Sequence, residues 1–210
     1  MYMVCELNHP LVSNNLAIIR DKNTVTKDFR NSIKMLSKLC FYEASKNIST
    51  YEKEIETPIT KTKVNVIKEE NIVVVPILRA GLAMSEAILE EIPSAKAGHI
   101  GVYRDKETKM PVEYLVKLPK GIEDKEIFLV DPMLATGGSL IHAIKILKEH
   151  GAKNIKALCI IAAPEGIENV TKEYDDIDIY VTSIDERLNE NKYIVPGLGD
   201  AGDRIFGTED

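Results

Sequence analysis

Ile127-Phe128-Leu129-Val130-Asp131-Pro132-Met133-Leu134-Ala135-Thr136-Gly137-Gly138-Ser139 decides how this chain is read. Its first four residues are an apolar run, which predicts a buried strand. The run ends in a carboxylate, Asp131, and a loop of small residues follows. Leu140, Ile141, Ile144 and Leu147 then recur at helical spacing, and Lys148, His150 and Gly151 mark the helix end. Ile155 to Ala163 is almost continuously apolar, as a strand covered on both faces should be. Strand, loop, helix, strand is a βαβ unit. Its loop falls at the carboxyl end of the first strand, where open α/β sheets bind ligands.

The loop has a definite chemistry. Thr136, Gly137, Gly138 and Ser139 place backbone N–H groups and two hydroxyls where the helix opens. Those N–H groups have no partner inside the helix, and the helix dipole attracts an anion, so the turn favours a phosphate. Asp131 has the wrong sign for that phosphate and suits hydroxyls or a metal ion. Hydroxyls at one end and phosphate at the other describe a sugar phosphate.

Working outward, strands alternate with helices. A helix over roughly residues 27–46 presents Phe29, Ile33, Leu36 and Cys40 on one face. Thr57 to Ile67 predicts a strand or hairpin near an edge. Ile72 to Leu78 is a core strand, with Pro76 expected at its end. Leu82, Ala87, Ile88 and Ile92 mark a short helix, and residues 98–104 a further strand. A charged turn over 105–110 leads to a return strand over 112–117. The fold class is α/β: a mainly parallel central sheet flanked by helices, with a hairpin over 102–118 inserted before the phosphate loop. The 210 residues read as one domain, with residues 1–25 as an irregular N-terminal arm and 190–210 as a C-terminal ligand-binding segment.

Composition limits the function. A hydrophobic fraction of 44% allows a sizeable core. A formal charge of −6 argues against a general nucleic-acid or membrane-surface protein. The three cysteines, Cys5, Cys40 and Cys159, are widely spaced and odd in number, which fits reduced thiols in a cytoplasmic protein. No apolar run reaches transmembrane length and no signal peptide is seen.

Two further groups point to the same edge of the sheet. In Pro76-Ile77-Leu78-Arg79-Ala80-Gly81 the small residues let backbone approach a ligand, and Arg79 offers a planar fork for a diphosphate. Arg104 ends the next strand. The segment from Tyr193 to Thr208 carries four glycines but also Ile194, Val195, Leu198, Ile205 and Phe206, which can pack. It reads as an ordered loop that exposes backbone groups. By contrast, Lys27, Arg30, Lys34 and Lys38 form a basic stripe on one helix face, either a solvated face or an anion site.

Val-Asp-Pro-Met-Leu-Ala-Thr-Gly-Gly-Ser resembles the phosphoribosyl diphosphate (PRPP) loop of type I phosphoribosyltransferases, in the version found in uracil phosphoribosyltransferases. Pro132 stands where many relatives carry a second acid, which leaves one carboxylate for the ribose. The C-terminal segment is similar to the uracil loop of that family almost residue for residue, and the resemblance extends over essentially the whole chain. It implies that Arg79, Arg104, Asp131, Pro132, Met133, Leu134, Ala135, Thr136, Gly137, Gly138, Ser139 and Asp200 bind PRPP. It implies that Ile194, Gly199, Asp200 and Ala201 contact uracil, and that Arg79, Arg104, Asp131 and Asp200 carry catalysis. Uracil's row of acceptor, donor and acceptor can be answered by backbone groups, whereas cytosine would leave buried groups unpaired at ~1–3 kcal/mol each. The implied reaction makes uridine monophosphate (UMP) and diphosphate. It brings Mg²⁺ held mainly through PRPP and water, a candidate GTP activator for which the basic stripe is one candidate site, assembly into dimers or tetramers, and an inserted hairpin that closes over the site. A PRPP-binding regulator that binds RNA is the alternative of a different class.

Overall fold

The computed structural model describes residues 2–104 and 111–208, apart from the side chains of Arg104 and Pro111. The expected turn over 105–110 lies outside the described residues.

The first departure from expectation is at the start. Residues 1–25 are not an irregular arm. They hold a strand, Val4–Glu6 (β1), and a helix, Pro10–Arg20 (α1). Pro10 pre-sets the first helical turn. The His9 Nδ1 accepts from the Leu11 N–H and caps the helix, a structural role. Val12, Leu16 and Ile19 turn towards the core. Helix Thr26–Ala44 (α2) follows as expected, and Phe29, Ile33, Leu36 and Cys40 are fully buried along it. Thr50–Glu56 (β2) and Lys61–Ile67 (β3) pair as an antiparallel hairpin detached from the main sheet. The register puts Tyr51, Ile55, Val64 and Val66 on one face, with charged residues mostly on the other.

Strand Ile72–Leu78 (β4) is the first core strand, and helix Leu82–Glu91 (α3) returns from it. Pro76 lies inside β4, not at its end, and is paired with Val130. The strand accommodates it by a break on its other side. There the neighbours split into Lys96–Ala97 (β5) and His99–Arg104 (β6), with pairing stopped at Val74 and resumed at Ile77. The proline cannot donate at the place where the ladder is interrupted. Strand Pro111–Lys117 (β7) folds back antiparallel on β6.

The deciding stretch forms strand Glu126–Val130 (β8), a two-residue strand Met133–Leu134 (β9) and helix Gly138–Glu149 (α4). Strand Asn154–Ala162 (β10), helix Pro164–Glu173 (α5) and strand Asp178–Ile184 (β11) continue the alternation. Arg187–Leu188 (β12) and Ile194–Val195 (β13) make a small antiparallel pair, and Ala201–Phe206 (α6) is a short helix.

The main sheet has the order β1-β11-β10-β8-β4-β6-β7, parallel except for β7. Side-chain alternation sends Val74, Phe128, Val130, Leu158 and Ile160 to the face covered by α1, α2, α3 and α6. Val73, Val75, Ile127, Leu129 and Cys159 go to the face covered by α4 and α5. Phe128 is central to the first face: it is fully buried and meets Phe41 edge-on with ring centroids 4.9 Å apart. Phe128→Ala should lower unfolding stability by about 3–5 kcal/mol in denaturant titration, because the cavity would be lined by a strand and a helix that cannot collapse into it.

Candidate active site

Parallel strands end on one edge. Arg79 follows β4, Arg104 ends β6, Asp131 follows β8 and Asp185 follows β11. The Arg104 backbone is therefore where the sequence reading placed it, while its side chain lies outside the described residues.

The loop between β8 and α4 lies between a strand and a helix as expected, and it is supported in ways the sequence did not reveal. The chain does not leave the sheet after Asp131. Its N–H donates to the Leu158 C=O, and the Pro132 C=O accepts from Ile160 and Ile161. β9 then pairs with Ile161 and Ala162. Pro132 and Leu134 are buried, so these two residues of the predicted PRPP set serve the sheet as well as the loop. Gly137 takes φ +83°, a left-handed value, and opens α4 without any side-chain cap. The N–H groups of that first turn therefore receive no bond from an N-cap side chain. Ser139 is exposed, and Thr136 and Gly138 are half-buried.

Helix α5 buttresses this loop. A Cβ on Gly166 would lie 2.3 Å from the Ala135 C=O, and Asn169 Nδ2 donates to the Thr136 C=O at 3.1 Å. Neither residue was assigned a binding role from sequence; both lie in the first turns of α5. Glu165, in the same turn, accepts from the Leu188 N–H at 3.0 Å through Oε1. Its carboxyl lies below the usual range because of that bond and its own backbone N–H.

Asp131 is half-buried. Burial pushes its carboxyl up from 3.8 to about 7, opposed by the Met133 N–H, which donates to it. Burial therefore disfavours the charge that ribose hydroxyl donors would restore.

The Arg79 turn packs against the end of β8: a Cβ on Gly81 would lie 2.5 Å from the Val130 C=O. Arg79 is exposed and reaches the C-terminal segment, with Nη2 3.5 Å from Asp203 Oδ1 and Cζ 5.9 Å from the Phe206 ring centre. Ala80 Cβ would lie 3.9 Å from a Cβ on Gly202. One line of contact therefore joins the loop after β8, the turn after β4 and the start of α6. Asp200 caps α6, its Oδ1 accepting from the Asp203 N–H at 3.0 Å. Asp200 and Gly199 are exposed, Ala201 and Ile194 buried.

The C-terminal segment is held from behind. Arg204 Nη1 donates to the C=O groups of Ile19 and Leu198, and Nη2 to that of Asp21. Arg30 donates twice to the Ile205 C=O, at 3.1 and 2.7 Å. Lys34 and Lys38 pair with Glu86, Glu90 and Glu91 of α3. Three residues of the basic stripe, Arg30, Lys34 and Lys38, are thus engaged within the chain.

Among the described residues no group of three His, Cys, Asp or Glu side chains could hold a metal ion. No helix among these residues is long and apolar enough to cross a membrane.

A family model for uracil phosphoribosyltransferase matches residues 6–208. The chain belongs to the uracil phosphoribosyltransferase family. It is 56% identical over 209 residues to a uracil phosphoribosyltransferase of Clostridium botulinum, and 54% identical to one of Clostridium beijerinckii, with all of both chains covered in each case. The solved structure of the AQ2163 protein from Aquifex aeolicus superposes with a TM-score of 0.93 at 40% identity, over 99% of each chain. Adenine phosphoribosyltransferase from Trypanosoma brucei shares the fold, with a TM-score of 0.60 at 14% identity over 93% of this chain and 87% of its own.

Two measurements check this geometry. Folding raises the Asp131 pKa, so the stability it contributes is present below pH 3.8 and lost as pH rises towards 7. Asp131→Asn should therefore melt higher than the parent by an amount that grows from pH 4 to pH 7 and then levels, by about 1.4 kcal/mol per unit at most. Gly166→Ala should raise the KM for PRPP by about tenfold or more, because the Ala135 carbonyl must move.

Proposed function

We propose that this chain, as one domain over residues 1–210, transfers the 5-phosphoribosyl group from PRPP to N1 of uracil, giving UMP and diphosphate. The observation that carries the reading is the uncapped start of α4 at Gly137, six residues after Asp131, at the edge where the Arg79 turn meets the C-terminal loop.

In this reading the N–H groups from Thr136 to Ser139 bind the 5-phosphate, and the loop from Asp131 to Ala135 lies along the ribose. Asp131 accepts from the ribose hydroxyls, which favours its charged form. Together they hold C1 in line for attack, which is catalysis by positioning. Arg79 and Arg104 take the charge that grows on the departing diphosphate. Arg79 Nη2 lies 3.5 Å from Asp203 Oδ1 of the C-terminal segment, which supports a place for it beside the base loop. Ile194, Gly199, Asp200 and Ala201 receive uracil. Asp200 stands where the base loop meets the Arg79 turn, placed to orient the base or a ribose hydroxyl. Mg²⁺, bound through PRPP oxygens and water, supplies further charge neutralisation on the diphosphate. The hairpin of β6 and β7 covers the site.

A homo-oligomer in the cytoplasm belongs to the same reading, and the uncovered apolar face of the β2–β3 hairpin, with Ile59 92% exposed at its tip, supports assembly. GTP activation rests on the family resemblance, and the α3 acids that neutralise Lys34 and Lys38 argue for an effector site elsewhere than the basic stripe. Nucleic acid and membrane are not among the proposed partners.

Diphosphate release from PRPP and Mg²⁺ should occur with uracil and be absent with cytosine, orotate and hypoxanthine. Arg79→Ala should reduce turnover by about 10²–10³. PRPP binding without turnover of any base would replace this reading with a regulatory one.

A further inference from the structure

We propose that Arg20 and Asp185 are positioning residues for base recognition: a part-buried ion pair that clamps both backbone polar groups of Gly197. The inference rests on the assignment of residues 194–201 to uracil.

Asp185 follows β11 and is 6% exposed; Arg20 is the last residue of α1. Their contact is bidentate, Arg20 Nη1 to Asp185 Oδ2 at 2.7 Å and Arg20 Nη2 to Asp185 Oδ1. Ser183 Oγ accepts from Arg20 Nη2 at 3.2 Å and donates to Asp185 Oδ1 at 3.1 Å. The pair does more than neutralise itself. Arg20 Nη1 donates to the Gly197 C=O at 2.8 Å, and the Gly197 N–H donates to Asp185 Oδ2 at 2.9 Å. One ion pair thus reads the donor and the acceptor of a single residue, which fixes its position and orientation together.

That residue is the pivot of the base loop. Gly197 has φ +66°, and a Cβ there would lie 2.2 Å from the Ile194 C=O. The chain therefore folds tightly back between Ile194 and the Gly199–Ala201 stretch. The next carbonyl, Leu198, is held by Arg204. The outward backbone groups of the turn are engaged from behind, so the groups beyond it are presented to the base in one arrangement. A base recognised through backbone groups needs such a support, since a peptide has no side-chain rotamer to re-aim it. Lysine cannot replace Arg20: its single ammonium lacks the fork that reaches Asp185 and Gly197 at once.

The test uses steady-state kinetics of the full chain with Arg20→Lys, Asp185→Asn and the milder Ser183→Ala, each checked by thermal melting. Hydrogen exchange of peptides covering 194–201 is measured in parallel. In Arg20→Lys and Asp185→Asn the KM for uracil should rise tenfold or more. The kcat at saturating uracil and the KM for PRPP should stay within about threefold of the parent. Exchange should accelerate in 194–201 and not in β8 or β10. Ser183→Ala should move the same quantities in the same direction by a few-fold. An unchanged KM for uracil in folded variants would overturn the proposal, as would a uniform loss in all parameters that tracks melting temperature. If Asp185→Asn does not fold, the Arg20→Lys and Ser183→Ala results decide. Failure of the parent to use uracil would overturn the functional reading itself, a result distinct from failure of the clamp.

Discussion

The site depends on strand direction. Because β4, β6, β8, β10 and β11 run parallel, their carboxyl ends lie on one edge, and the chain leaves β4, β8 and β10 there through loops that lead into the helices α3, α4 and α5. Such loops concentrate free N–H groups and positive dipole ends. The sheet can bear this because both faces are covered, so the central strands β4, β8 and β10 are apolar over most of their length. The antiparallel β7 is the one strand of the main sheet that departs from this rule, and it belongs to the hairpin that borders the site.

The loops on that edge are not independent. Gly81 lies against the Val130 carbonyl, Gly166 against the Ala135 carbonyl, and Gly202 beside Ala80. A Cβ at Gly81 or Gly166 would collide with the carbonyl it faces. Two crossovers are therefore locked against backbone carbonyls, and α6 rests in van der Waals contact with the Arg79 turn. The C-terminal segment adds polar locks of its own: Arg20, Arg30 and Arg204 each donate to at least one of its carbonyls.

Most of the architecture was legible because it is written in short-range patterns. The apolar run of β8, the helical spacing after Gly138 and the loop between them are local, as is the capacity of Gly137 for a left-handed turn. What was missed depends on partners far away in sequence. α1 carries the spacing of Val12, Leu16 and Ile19 behind Pro10, yet polar neighbours such as Asn14 and Asn15 disguised it as an arm. Pro76 is sited inside a central strand only because the neighbouring ladder breaks at Gly98. The basic stripe was a correct helix face, but its counter-charges sit on α3 and its main acceptor is a carbonyl of α6. Arg20 and Asp185 are 165 residues apart. No periodicity links them.

The contact between Gly166 and the Ala135 carbonyl has a consequence for modularity. A loop and helix that could be lifted as a cassette would need clearance around them. Here the carbonyl occupies the space where any other residue of α5 would put its first carbon, and Asn169 completes the fit by bonding the next carbonyl, that of Thr136. The two βα crossovers are one part with two pieces of chain. A chimaera that grafts this loop onto another parallel sheet inherits the loop's geometry only if the opening turn of α5 travels with it.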